Sequence, residues 1–253
     1  MFSKAIVRKP GKSFVKGLTG AKLGVPDYSK ALKQHEIYVD ALKDCGLEIE
    51  VLEADENFPD STFVEDTALL TPRCAIITNP GASSRQGEIT EIKNTVQRHY
   101  SAIEEITAPG TVDAGDIMMV GSHFYIGLSK RTNTDGAAQV IQILNTYGMS
   151  GSTLAVKNVL HLKTGMSYLE RNNLVICGDC ISDPALKKFN FIEIPEEESY
   201  AANSLWINDT VLVPEGYPIT RQKIKDAGYA IREVDVSEFR KQEGGLSCLS
   251  LRF

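Results

Sequence analysis

Cys248 follows the pair Gly244-Gly245 in the C-terminal stretch G-G-L-S-C-L-S-L-R-F. Glycine lets the backbone turn sharply or approach a ligand closely. The apolar/polar alternation of Leu246, Cys248, Leu249, Leu251 and Phe253 reads as a strand starting at that turn. A thiol at the mouth of such a strand suits a nucleophile. Most free cysteines are small buried hydrophobes, so the reading depends on what else the chain brings to the thiol. Three further groups qualify: Glu65-Asp66, Asp113-Ala-Gly-Asp116 and His161. A cysteine with a histidine gives a nucleophile and an acid/base partner, and Asp113 or Asp116 would orient the imidazole and favour its protonated form. Nearby anions hold a thiol protonated, whereas a bound cation releases its proton. A thiol among carboxylates therefore fits a cationic substrate such as a guanidinium or amidinium.

Arg85 and Arg131 each follow a predicted hairpin in loops rich in glycine, serine or asparagine. Arginine pairs with carboxylates in a planar, two-point fork. Two of them at a pocket rim point to a carboxylate on the substrate. A cation at one end, a carboxylate at the other and a cysteine between them describe an arginine-like molecule.

The elements that must position these groups recur along the chain. Hairpins are expected over 63–78, turning at Pro72-Arg73, and over 113–129, turning at Gly121-Ser122. Two more cover 164–178, turning near Asn172-Asn173, and 201–216, turning at Asn208-Asp209. Helical periodicity follows in 28–44, 88–99, 134–147 and 220–227, with a short version in 184–189. Thr134 and Thr220 are candidate N-caps, and Gly46, Gly148 and Gly228 are candidate stops. Four units thus start at 63, 113, 164 and 201. A fifth forms if the strand after Gly245 pairs with the N-terminal strand Lys4–Val7, which would close a ring without open edges. The expectation is a five-bladed α/β propeller over a single domain, 1–253; an α/β sandwich is the alternative. In a closed ring, the first strands would turn their carboxylates, histidine and thiol toward one centre.

Composition narrows the partners. With 253 residues, 42% hydrophobic and 24% charged, the chain has ordinary globular proportions. Its net charge of -6 argues against nucleic acid as a partner. No apolar run approaches membrane-spanning length, and Met1 to Pro10 has no signal-peptide pattern. Five cysteines, an odd number, point to reduced thiols and the cytoplasm. Cys177-Gly-Asp-Cys180 has knuckle spacing but no second pair or nearby histidine, so it reads as a strand end and turn.

The motifs F-P-D-S-T-F-V-E-D-T (58–67), P-G-A-S-S-R-Q-G-E (80–88), P-G-T-V-D-A-G-D-I-M (109–118), L-H-L-K-T-G (160–165), E-E-E-S-Y-A-A-N (196–203) and G-G-L-S-C-L-S-L-R-F (244–253) resemble the dimethylarginine dimethylaminohydrolases. The likeness runs over nearly the whole chain and is closest to short bacterial members of this guanidino-modifying, pentein-fold superfamily. It implies hydrolysis of mono- and asymmetric dimethylarginine to citrulline through a covalent cysteine intermediate, without metal or other cofactor. Cys248 would be the nucleophile, His161 the general acid/base and Asp113 its support, although comparable bacterial members carry Glu at that position. Asp66 would grip the guanidinium with help from Glu65 and Asp60, and Arg85 and Arg131 would hold the carboxylate. Leu18 would sit on a mobile lid. Gln242, at a position that is usually aliphatic, would contribute backbone contacts. A small-molecule substrate is the expected partner, with a homodimer left open. An arginine deiminase, another guanidino-modifying enzyme and a non-catalytic arginine-derivative binder are the competing readings. Deiminases carry His-x-Asp where this chain has His161-Leu-Lys163.

Overall fold

The computed structural model describes residues 1–156, 159–178 and 183–253; Cys180 lies outside them. The expected hairpins form where turn chemistry places them. Gly121 takes a positive φ of 60°, and Asn208 and Asp209 take 47° and 72°, the left-handed pair that a two-residue hairpin needs. Glu170, Arg171 and Asn172 make the looser turn of the third hairpin, all with positive φ.

Each hairpin belongs to a three-stranded sheet, one strand more than the expected unit. In the first sheet, β1 (Lys4–Arg8) leads through α1 (Tyr28–Asp44) to β2 (Glu48–Leu52). The second holds β3 (Ala68–Leu70), β4 (Ala75–Ile77) and, after α2 (Ile89–Val96), β5 (Ile103–Glu105). The third holds β6 (Ile117–Val120), β7 (His123–Leu128) and, after α3 (Thr134–Thr146), β8 (Ser150–Ala155). The single turn α4 (Leu162–Gly165) introduces β9 (Met166–Tyr168), β10 (Asn173–Ile176) and β11 (Asn190–Glu193). The fifth sheet has β12 (Leu205–Ile207), β13 (Thr210–Pro214) and, after α5 (Pro218–Asp226), β14 (Ala230–Val234). The last strand, β15 (Leu251–Arg252), returns to the first sheet and pairs antiparallel with β1, Ala5 facing Arg252 and Ile6 facing Leu251.

In every sheet the middle strand runs antiparallel to one neighbour and parallel to the other. A parallel partner needs a crossover, and in four of the five sheets a helix supplies it. The third strand escaped the sequence reading because most residues of these segments are half-exposed or exposed, as in Ile103–Glu105, where none is fully buried. The result is a five-bladed α/β propeller.

The core is divided among the blade junctions. Ile6 and Leu251 of the first blade pack with Ala68, Leu70 and Ile77 of the second under Ile92 and Val96 of α2. Leu205 and Leu212 of the fifth blade pack with Ala5 and Val7 of the first under Ala31, Tyr38 and Leu42 of α1. Neither face of a junction can be buried without its neighbour.

Two N-caps differ from expectation. α3 is capped by Asn133, whose side chain accepts from Gly136 N, and not by Thr134. α5 starts at Pro218, and Glu198 from another segment accepts from Ile219 N and Thr220 N. A carboxylate on exposed helix N–H groups does the work of a local cap. The expected stops Gly46, Gly148 and Gly228 all have positive φ.

The C-terminal strand starts later than the alternation implied. Ser247–Leu249 form one 3-10 turn and only Leu251–Arg252 are extended. Leu246 and Leu249 are both fully buried, and their spacing of three fits such a turn as well as the alternation fits a strand. Short helical segments stand before the other first strands as well: 3-10 helix at Val64–Thr67, Ala114–Asp116 and Glu196–Ala202, and one α-helical turn at Leu162–Gly165. The chemistry-bearing residues therefore sit on short turns at the heads of strands, not within the strands.

Candidate active site

These turns converge on two cavities. The smaller is lined by Leu18, Asp60, Phe63, Asp66, Arg85, Arg131, Leu160, His161, Gln242, Glu243, Gly244 and Cys248. Gly244 and Gly245 keep negative φ, so their contribution here is close approach. A Cβ on Gly244 would come within 2.1 Å of the Phe63 ring, and one on Gly245 within 2.5 Å of Asn203. Gly115 is equally constrained: its Cβ would lie 2.7 Å from Asp66 Oδ1 and 3.1 Å from His161 Nδ1.

Asp113 is fully buried. Its Oδ1 accepts from Gly81 N at 2.8 Å, and its Oδ2 lies 3.1 Å from His161 Nε2 and 3.6 Å from Arg131 Nη1. Burial pushes its carboxyl up, but His161, Arg85 and the Gly81 N–H outweigh that and hold it below the usual range. Burial would likewise neutralise His161. The carboxylates of Asp66, Asp113 and Asp116 reverse this, and the imidazole is pushed up to about 9. Burial pushes the Cys248 thiol up to about 12, with Glu65 and Asp66 adding to the effect; Gly245 N–H, 3.4 Å from Sγ, and Lys163 oppose it. At neutral pH the resting pair is thus a thiol and an imidazolium.

Asp116, the alternative third member, faces elsewhere. It accepts from Ser129 Oγ at 2.6 Å, Thr132 Oγ1 at 2.7 Å and Leu162 N at 2.9 Å, and so fixes the loop holding Arg131 and the turn after His161. Asp66 accepts from Gly115 N and lies 2.6 Å from Arg85 Nη1. Asp60 accepts the Leu18 N–H at 3.0 Å, and burial raises its carboxyl despite Arg85 nearby. Leu18 itself is exposed, on a segment also fastened by Thr19 Oγ1 to Lys241 O and by Gly20 N to Glu243. Gln242 is buried, with its Oε1 unpartnered.

Two expectations change. Arg85 is 4% exposed and belongs to the pocket wall, not its rim. Its Nε and Nη2 bind Glu88, Nη1 binds Asp66, and Nη2 also donates to Phe63 O at 3.0 Å. Glu88, which the sequence reading passed over, is pushed up to about 7 by burial in spite of that pairing. Its spacing of three from Arg85 was the available signal. The carboxylate of Glu65 is turned away from this pocket altogether. It lines the larger cavity on the other side, where it meets Lys163 Nζ at 2.6 Å, Arg252 Nη2 at 3.0 Å and Ser247 Oγ at 2.7 Å. Neighbours in a tight turn point in different directions, so Glu65 and Asp66 serve opposite cavities.

Among the described residues, Asp66, Asp113 and His161 offer donor atoms within 4.8 Å of one another, a spacing that a metal ion could bridge. Arg85 on Asp66 and Arg131 beside Asp113 already supply cationic charge there. The arrangement suits a spread-out organic cation better than a compact dication. Cys177 directly follows β10 and precedes Gly178, which has positive φ. No described helix is long and apolar enough to cross a membrane.

A family described as N,N dimethylarginine dimethylhydrolase, eukaryotic, matches residues 26–211. The chain is 59% identical to the N(G),N(G)-dimethylarginine dimethylaminohydrolase of Pseudomonas aeruginosa, over 100% of both chains. It is 33% identical to the enzyme of that name from Streptomyces coelicolor, over 98% of this chain and 96% of that one. The solved structure of a cysteine-to-serine mutant of the Pseudomonas aeruginosa protein complexed with citrulline superposes with a TM-score of 0.99, at 58% identity and 100% coverage of both chains.

Proposed function

The chain belongs to the dimethylarginine dimethylaminohydrolase family, and on that premise we propose that it hydrolyses mono- and asymmetric dimethylarginine to citrulline and methylamine or dimethylamine. The observation that carries the reading is one enclosure shared by the Cys248 thiol, the His161 imidazolium and the carboxylates Asp60 and Asp66, with Arg131 at its edge. The citrulline complex of the 58% identical relative supports the same product.

In this reading Asp66, with Asp60, attracts the guanidinium, whose positive charge stabilises the thiolate as the thiol proton leaves to solvent. The thiolate adds to the guanidinium carbon. His161, protonated and steadied by Asp113, gives its proton to the departing amine nitrogen as the C–N bond breaks, leaving an S-alkylthiouronium. The now neutral imidazole takes a proton from water, which adds to the same carbon; the C–S bond breaks and citrulline leaves. Arg131 and the Arg85 wall face the substrate carboxylate, and Leu18 and Gln242 cover the aliphatic chain. No metal or organic cofactor takes part, so dialysis against a chelator leaves turnover unchanged.

Residues 1–253 act as one domain in this account, because successive blades supply Asp66, Asp113, His161 and Cys248. We place the enzyme in the cytoplasm, in keeping with the reduced thiols of Cys45, Cys74 and Cys248. Its negative charge disfavours nucleic acid as a partner, and sedimentation velocity decides between monomer and homodimer.

Amine release and citrulline formation, measured side by side for dimethylarginine, monomethylarginine and arginine, test the proposal. Turnover of the methylated substrates with little of arginine is expected. In place of a second gripping carboxylate the chain has Lys163, whose ammonium is held by Glu65. Equal turnover of arginine would favour a deiminase, and binding without amine release a sensor. Cys248→Ser is expected to abolish turnover, and His161→Gly to accumulate a covalent adduct on Cys248.

A further inference from the structure

The nucleophile's turn is held from behind by groups outside the pocket. Asn203, 6% exposed at the end of the turn before β12, accepts from Ser247 N at 2.9 Å through Oδ1. Its Nδ2 donates to Ser247 Oγ at 3.0 Å and to Lys163 O at 2.9 Å. Glu65 Oε2 accepts from Ser247 Oγ at 2.7 Å, and Arg252 Nη1 donates to Ser247 O at 3.0 Å. Every polar group of Ser247 is therefore engaged, by residues from two other strand heads and from β15. Lys163 and Arg252 both neutralise Glu65 Oε1. The absent Cβ of Gly245 is what lets Asn203 come this near.

We propose that Asn203 and Glu65 are positioning residues: they lock Ser247 in place and thereby fix the direction in which Cys248 presents its sulfur to the pocket. Neither lines the pocket itself. A cysteine on a free one-residue step would sample several orientations, and a displacement of about 1 Å from attack geometry is enough to cost about a hundredfold in rate. Fixing the backbone N–H, C=O and side chain of the preceding residue removes that freedom. The lock also screens charge. The groups facing the thiol are Glu65, Asp66 and Lys163, with Asp60, Arg85, Arg131, His161 and Glu243 around the same pocket. Of these, only Glu65 and Lys163 belong to the lock.

The inference rests on Cys248 being the nucleophile, and the experiment separates the two. Purified Asn203→Ala, Ser247→Ala, Glu65→Ala and Glu65→Gln are compared with the unaltered protein, active sites being counted by complete alkylation of Cys248. Per alkylatable thiol, Asn203→Ala is expected to lose kcat at least about tenfold with KM within about twofold, the signature of an interaction that orients the reacting group. Glu65→Ala should fall similarly. Glu65→Gln, which keeps an acceptor for Ser247 Oγ, should recover most of kcat while its alkylation-versus-pH curve moves to lower pH. If Asn203→Ala does not fold, Ser247→Ala reads the same lock with a milder truncation and an expected loss of about threefold or more. A rise in KM at unchanged kcat in the Glu65 variants would return that residue to substrate binding and overturn the proposal. Unchanged kcat in Asn203→Ala and Ser247→Ala would overturn it as well. Full turnover by Cys248→Ser would instead remove the functional reading beneath it.

Discussion

Burial, with the carboxylates Glu65 and Asp66 adding to it, keeps the Cys248 thiol protonated, whereas the His161 imidazole keeps its proton against burial because Asp66, Asp113 and Asp116 surround it. A thiol pushed up to about 12 is almost wholly un-ionised at neutral pH, so the free enzyme is expected to resist neutral alkylating reagents. A small amidinium reagent carries the missing charge with it and should react faster, by about tenfold or more, with the advantage shrinking in Asp66→Asn. Inactivation rates measured against pH for both reagents check this. A free-enzyme midpoint below neutral, indifferent to a cationic ligand, would mean a standing thiolate–imidazolium pair. Holding the thiol neutral until substrate arrives also protects it from adventitious oxidation.

At the scale of elements, α1 carries a group whose ionisation opposes the fold. His35 is buried on its inner face, and Nε2 has no partner. Burial, with Lys9 adding to it, lowers its imidazole to about 4, against a weaker opposing effect of a hydrogen bond donated to the Arg8 backbone. A group with a depressed folded value binds fewer protons folded than unfolded. Its contribution is therefore complete above about pH 6.5 and is lost as pH falls toward 4, by about 3 kcal/mol at most. Thermal melts should show a drop between pH 7 and pH 4.5 that is smaller in His35→Asn. The N-terminus of α3 makes a second test. Asn133 Oδ1 accepts from both Gly136 N and Thr111 N, and its Nδ2 donates to Pro109 O. Asn133→Ala should cost about 1–2 kcal/mol in denaturant titration, whereas Thr134→Ala should stay within about 0.5 kcal/mol.

For the whole molecule, stability is spread around the ring, since each cluster joins two blades. β15 matters out of proportion to its two residues. Leu251 packs into the junction of the first two blades, Phe253 packs on His99 and Tyr100, and Arg252 reaches Glu65 and Ser247. Removing Leu251, Arg252 and Phe253 exposes the β1 edge, opens an apolar junction and deprives Glu65 of Arg252, leaving it Lys163 and Ser247. The expected outcome is a fall in Tm of about 10 °C or more with loss of turnover, read by calorimetry and citrulline assay. A truncated chain with unchanged Tm would mean that the first blade is held by β1 and β2 alone.

Local chemistry wrote the turns at Gly121-Ser122 and Asn208-Asp209, the apolar stripe of α1 and the stops after three helices into the chain, because each depends on residues a few positions apart. The reactive residue types and their recurrence at the heads of successive units were legible for the same reason. The third strands were not, since segments of three to six mostly half-exposed or exposed residues carry little apolar periodicity. Tertiary structure alone decided which cavity each reactive side chain enters. Adjacent residues parted company: Asp66 and Cys248 face the small pocket, while Glu65 and Ser247 face the large one. It also decided the partners. Glu65 meets Lys163, Ser247 and Arg252 across separations of 98, 182 and 187 residues. Sequence spacing cannot express distances of that kind, because they exist only once all five blades have packed around a common axis.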